Sequence, residues 1–110
     1  MSETGISSVG EGRYAINGEL TFATVPSVVR SGYGDLDSGG QVQVDLAGIT
    51  RVDSAGIALL IDLTRTLRKH SGDILFVNAP PQLMAIAGVS GLAAVLPFAS
   101  GGNSFQKLEA

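Results

Sequence analysis

The stretch VDLAGITRVDSAGIALLIDL, residues Val44 to Leu63, is the most informative part of this chain. Its first part is an apolar run typical of a buried β-strand, and its second part keeps the spacing of an amphipathic α-helix. Between them lies the polar junction Asp53-Ser54-Ala55-Gly56. An acid and a hydroxyl at this junction have three explanations: a catalytic nucleophile, a cap of the helix, or a switch site on a binding surface.

Strand and helix patterns alternate along the rest of the chain, which predicts an α/β domain with helices packed on a sheet. The pattern indicates helices over 25–30, 54–71 and 82–89, and strands over 6–9, 13–17, 41–46, 73–78 and 92–98. Gly18 is expected to end the second strand. Residues 31–40 are interpreted as a connection and 99–110 as a mobile Gly/Ser-rich tail, with the domain itself over 1–98.

The composition excludes several classes of protein. With 110 residues, the chain is expected to form one domain. Its net charge of −3 argues against a nucleic-acid partner, and the absence of cysteine argues against a disulfide framework. No signal-peptide pattern and no apolar run of roughly 18 residues is visible, so we expect a cytoplasmic protein that does not insert into a membrane.

A catalytic role for Ser54 fails on geometry. A nucleophilic serine needs a base, and the single histidine, His70, would lie at the far end of the same helix, more than ~20 Å away at 1.5 Å per residue. The G-x-S-x-G elbow is absent because Val52 occupies its first position. Glycoside hydrolysis would need two carboxylates that converge in a cleft, and Asp45 and Asp53 are candidates by residue type alone. No residues have metal-ligand spacing. We therefore predict no enzyme activity, no metal and no cofactor.

The junction also suits a helix cap. Asp and Ser are both favoured at this position, because a side-chain oxygen accepts a hydrogen bond from a free N–H of the first turn, worth about 1 kcal/mol. At the other end, basic residues 68–70 precede Gly72, as the helix dipole and the C-cap favour. The sequence does not choose between Asp53 and Ser54 as the cap.

The helix after the junction is apolar over an unusually wide arc. Ile57, Leu60 and Leu67 share one face, while Leu59 and Leu63 lie to one side of it beside Thr66. The apolar arc then spans about 200°, whereas a half-buried helix needs little more than ~100°. Either a neighbouring helix of the same domain or a partner protein could cover the extra flank.

The pattern of strand, Asp-Ser-x-Gly and Leu-rich helix resembles the STAS domain family, typified by bacterial anti-sigma-factor antagonists. The resemblance covers about residues 10–98 and includes Gly18-Glu19-Leu20. Four segments resemble more narrowly the STAS subunits of Mla phospholipid-transport ABC complexes: ELTFATV (19–25), VDLAGITRVDSAGIALL (44–60), FVNAPPQLMAIAGVSGL (76–92) and VLPF (95–98).

The resemblance implies a mixed sheet of four to five strands with helices on one side. It implies that Ser54 is the phosphoacceptor in sigma-factor switches and that a partner binds at Asp53, Ser54, Ala55, Gly56, Ala58, Leu59, Asp62, Leu63 and Thr66. In the transporter branch that partner is the cytoplasmic ATPase of a phospholipid transporter maintaining outer-membrane lipid asymmetry, which would hold the chain at the inner membrane. The alternative is an anti-sigma-factor antagonist that binds a serine kinase and is switched by phosphorylation of Ser54. The chain has no Walker A sequence, so ATP chemistry would belong to the partner.

Overall fold

A mixed five-stranded sheet forms the centre of the protein, as the α/β pattern predicts. The computed structural model describes residues 5–10, 12–30 and 40–99. β1 is antiparallel to β2, β3 and β4 each pair in parallel with β2, and β5 pairs in parallel with β3. The elements are β1 (Gly5–Gly10), β2 (Arg13–Leu20), α1 (Val25–Arg30), β3 (Gln41–Asp45), β4 (Ile49–Val52), α2 (Ser54–Lys69), β5 (Asp73–Val77) and α3 (Pro81–Val89).

Strand β2 is longer than its sequence pattern predicts and changes partner along its length. Its first residues pair with β3 and its last three with β4, so that the numbering offset between partners rises from 30 at Arg13–Gln43 to 32 at Leu20–Val52. Gly18 marks this change with a φ of 96° and a register shift. The expectation that Gly18 ends the strand was therefore wrong: the glycine permits an irregularity within the strand, where a positive φ costs it little.

The core lies between one face of the sheet and the three helices. Alternate residues of the strands point to this face, as the two-residue repeat of a strand requires. The core cluster joins Ile16, Val42, Val44, Ile74 and Phe76 of the sheet to Val28 of α1, Leu60, Leu63 and Leu67 of α2, and Leu83 and Ala87 of α3. Leu75 and Val77 of β5 are also buried but lie outside this cluster, because alternate residues of a strand point to the opposite face of the sheet.

The segment after α3 is not the strand that was predicted over 92–98. It forms turns, and only Phe98 makes an isolated bridge, to Phe76 of β5. Phe76 donates its backbone N–H to the carbonyl of Pro97 and accepts a hydrogen bond from the N–H of Ala99, both at 2.9 Å. Apart from Gly40 and Ala99, the predicted connection over 31–40 and the predicted tail over 99–110 lie outside the described residues.

Candidate functional site

Asp53, and not Ser54, is the N-cap of helix α2. Its backbone is extended, with φ −129° and ψ −168°, and its Oδ1 accepts a hydrogen bond from the N–H of Ala55 at 2.8 Å. Ser54 is the first helical residue and its side chain is exposed. The acid of the junction therefore has a structural role, and the hydroxyl is left at the surface.

The second oxygen of Asp53 holds the loop between β2 and α1 beside the start of α2. Oδ2 accepts a hydrogen bond from the N–H of Phe22 at 3.1 Å, while the N–H of Asp53 donates to the carbonyl of Leu20 at 3.3 Å. The loop is further fixed from within, because the Oγ1 of Thr24 accepts from the N–H of Thr21 at 2.9 Å. Phe22 is 71% exposed, although these hydrogen bonds hold its own backbone N–H and that of the preceding Thr21.

Gly56 allows α2 to approach the sheet closely. A Cβ at this position would lie 2.6 Å from the carbonyl oxygen of Leu20 and 2.7 Å from the Cγ2 of Val52. Real Cβ atoms essentially never make such contacts. The glycine of the Asp-Ser-x-Gly motif is thus required by packing, which holds the first turn of α2 against the end of β2.

The wide apolar flank of α2 is buried inside the domain. Leu59 and Leu63 are only 1% and 0% exposed and belong to the core cluster, because α2 packs against both α1 and α3 as well as the sheet. Of the two explanations left open by the sequence, burial by neighbouring helices is therefore correct. The idea that a partner covers Leu59 and Leu63 was wrong.

The other predicted partner-binding residues divide by exposure. Ser54, Ala58 and Asp62 are exposed and follow one another at four-residue spacing, so they form one stripe along α2. Asp53, Ala55 and Thr66 are half-buried beside it, and Gly56 is buried. We call Ser54, Ala58, Asp62 and the neighbouring Phe22 the Ser54 surface.

An open cleft of about 420 Å³ adjoins this surface. Gln82, in the first turn of α3, reaches across to β4, where its Oε1 accepts from the N–H of Val52 at 3.4 Å. The cleft is lined by Glu19, Thr21, Phe22, Ala23, Arg51, Val52, Asp53 and Gln82. Sequence reasoning did not select Phe22, Arg51 or Gln82 as site residues, because segments that are distant in the sequence bring them together.

The structure separates the groups that a serine hydrolase would need to bring together. His70 is the C-cap of the 16-residue helix that Ser54 begins, which places the two about 24 Å apart along the axis. The Asp45 carboxylate accepts from the N–H of Ala47 at 2.9 Å and from the Nδ2 of Asn78 at 3.1 Å, so it braces the turn after β3.

Within the described ranges, no helix is long and apolar enough to cross a membrane.

Comparisons with known proteins support the fold described above. A family model described as "Mlab, STAS domain" matches residues 7–97. An anti-sigma-factor antagonist (STAS) domain protein from Planctomyces limnophilus has a similar solved structure, with a TM-score of 0.71, 17% identity and coverage of 96% of each chain. The anti-sigma factor antagonist SpoIIAA in its unphosphorylated form gives a TM-score of 0.66 and 18% identity, again over 96% of each chain. At these identities the two structures support the fold alone. No curated protein sequence matches this chain.

Proposed function

The chain belongs to the STAS domain family, and we propose that it is a non-catalytic subunit that acts by binding another protein through the Ser54 surface. Its fold is that of anti-sigma-factor antagonists. We infer that the partner is the cytoplasmic ATPase of an ABC-type phospholipid transporter that maintains outer-membrane lipid asymmetry. In that role the chain would be cytoplasmic and held at the inner membrane by its partner.

The observation that carries a binding role is the pairing of an exposed aromatic side chain with a fixed backbone. Phe22 is largely exposed while its N–H is held by Asp53, next to the exposed start of α2. Protein interfaces are enriched in aromatic anchors, and a fixed backbone lowers the entropy lost on binding. The ATPase is favoured as the partner by the description of the family model and by the segments over 76–92 and 95–98 that resemble the transporter branch.

A second candidate is an anti-sigma-factor antagonist switched by phosphorylation of Ser54. Its support is the exposed hydroxyl at the first position of α2, which a kinase could reach. A phosphate there would lie at the helix N-terminus, where the dipole and the free N–H groups favour an anion. The two candidates use the same surface but differ in the protein bound and in the need for phosphorylation.

Titration calorimetry of the purified chain separates the two candidates. One titration uses the ABC ATPase subunit of the phospholipid transporter from the same organism, and the other uses an anti-sigma factor kinase from that organism with ATP. We expect binding to the ATPase, weakened at least about tenfold in Phe22→Ala, which is roughly 1.4 kcal/mol. Val9→Ala is the matched control, since Val9 is an exposed apolar residue of β1.

The possible results are distinct. Binding only to the kinase, with phosphorylation of Ser54, would favour the second candidate, and binding to neither protein would refute both. The chain alone should hydrolyse neither ATP nor simple esters. Sustained turnover that Ser54→Ala abolishes would refute the non-catalytic role.

A further inference from the structure

We propose that the outward face of helix α3 is the second half of the protein-binding surface. The partner that binds the Ser54 surface would place an uncharged, apolar segment on it, close to the α3 backbone at Gly88. This inference rests on the proposed binding role but does not depend on which protein the partner is. We call this outward face, made by Pro81, Met84, Ala85, Gly88 and Val89, the α3 face.

The α3 face is apolar where a surface helix would ordinarily be polar. Leu83 and Ala87 bury the inner side of the helix, while the five residues of the α3 face are exposed and Val89 is 92% exposed. No charged residue occurs in the sequence between Asp73 and Lys107. A helix that packs on a core by one side usually carries charged side chains on the other. An exposed helix side without them indicates a surface that is covered in the working protein.

Gly88 adds an independent observation. A Cβ at this position would have no atom within 4 Å, and the backbone φ of Gly88 is not in the left-handed region. Nothing within the described part of the domain therefore requires a glycine, although glycine weakens a helix relative to alanine. Close approach by another chain would account for it. The same helix also has an open hollow of about 260 Å³, lined by Ala85, Ile86, Val89 and Ser90.

The absence of charged residues from the α3 face limits which class of molecule could cover it. A helix that lies on a membrane surface carries Lys or Arg around its apolar face, and a nucleic-acid surface needs such residues too. The α3 face has neither. The cores of protein interfaces, in contrast, are depleted of charge. These comparisons favour a protein partner with apolar side chains of its own.

The size and position of the α3 face favour the partner of the Ser54 surface over a second copy of the chain. Helix α3 has nine residues and is therefore only about 14 Å long, too short to bury by itself the roughly 1,200 Å² of a stable interface. Its first turn, however, supplies Gln82 to the cleft that Phe22 and Asp53 also line. The cleft is thus lined by Phe22 of the Ser54 surface on one side and by Gln82, the neighbour of Pro81 in the α3 face, on the other. One partner that extends across this cleft can reach both surfaces.

Photo-crosslinking in the native cells tests this inference with the full chain. The crosslinking amino acid p-benzoylphenylalanine replaces Val89 in one variant, Phe22 in a second and the exposed Arg68 near the end of α2 in a control, and crosslinked proteins are identified by mass spectrometry. We expect Val89 and Phe22 to capture the same protein and Arg68 not to capture it. Capture of only a second copy of this chain at Val89, capture of different proteins at the two positions, or no capture at Val89 would each overturn the inference.

The identity of the captured protein keeps the two proposals separate. If Val89 and Phe22 both capture one protein that is not an ABC ATPase, the proposed partner is wrong while the two-part surface is supported. The affinity of the captured protein, once purified, gives a second measurement. Val89→Glu should weaken binding at least tenfold, and the matched control Val9→Glu, on β1, should leave it within twofold. Equal affinity of Val89→Glu and wild type would overturn the inference.

Discussion

The Asp53 carboxylate accepts a hydrogen bond from the backbone N–H of Phe22, 31 residues earlier in the chain, at 3.1 Å. Its other oxygen caps α2 through the N–H of Ala55. One side chain thus joins the loop after β2 to the start of α2. This double role holds the backbone of Phe22 beside Asp53, the residue that precedes Ser54. Asp53 can thus organise the surface without contacting a partner itself.

Asp53→Ala should destabilise the domain by about 1–3 kcal/mol, since it removes the helix cap and leaves the N–H of Phe22 without its acceptor. Ser54→Ala is the matched control at the neighbouring position. Because Ser54 is not the cap, we expect its replacement to change the free energy of unfolding by less than about 0.5 kcal/mol. Urea unfolding measures both. Equal losses in the two variants would contradict the assignment of Asp53 as the cap.

Two glycine-to-alanine substitutions should act in opposite directions. Gly56→Ala forces a Cβ to 2.6 Å from the Leu20 carbonyl, so α2 must move, and we expect a loss of about 1–3 kcal/mol despite the better helix propensity of alanine. Gly88→Ala places its Cβ in open space and should gain up to about 1 kcal/mol. Thermal unfolding measures the two shifts. A stabilised Gly56→Ala would show that the close approach of α2 to the sheet is not required.

Replacing Leu59 and Leu63 tests whether these residues belong to the core, as in the structure, or to an exposed flank that a partner covers. Both side chains lie in the core, and truncation of a buried leucine to alanine costs about 2–5 kcal/mol. Leu59→Ala/Leu63→Ala should therefore lose most of the stability of a domain of this size, which is typically about 5–15 kcal/mol. Circular dichroism during thermal unfolding measures the loss. A melting temperature within a few degrees of wild type would restore the original idea of an exposed flank.

The sequence predicts the main elements because their patterns are local. Helix α2 follows from its apolar spacing and its Asp-Ser start, and β5 from its short run of β-branched and aromatic residues. β4 was missed because the turn that precedes it falls inside an apolar run. In the structure, Leu46 is buried and accepts from the N–H of Ile49 at 3.1 Å, within the turn that the Asp45 carboxylate braces. In the sheet, β3 and β4 lie one after the other along β2, since β3 pairs with its first residues and β4 with its last three.

The candidate site is only partly visible in the sequence, because exposure depends on how the helices pack. A helical projection identifies Leu59 and Leu63 as a flank, but only the positions of α1 and α3 determine that the flank is covered. The reverse holds for α3, which carries no charged residue and yet is exposed on its outward side. Its buried residues, Leu83 and Ala87, pack inward, and its main contacts with other elements are with α2 and β4. Phe22 is held at the start of α2 by its hydrogen bond to Asp53, 31 residues away in the sequence, which no local pattern indicates.

Ser54→Glu separates a charge-controlled switch from a passive surface residue. In the free domain a carboxylate at the first position of α2 is favoured by the helix dipole, although Asp53 beside it repels it in part. We therefore expect normal folding and little change in melting temperature. In the complex the same charge would be buried next to Ala58 and Phe22, at a cost of several kcal/mol unless the partner supplies a cation. We expect partner affinity to fall at least about tenfold, or roughly 1.4 kcal/mol. Ser54→Gln, which has nearly the same size without the charge, should lose less than Ser54→Glu. Calorimetric titration of both variants with the same partner decides the question: if they bind equally, size and not charge limits binding at this position, and Ser54 is not an electrostatic switch.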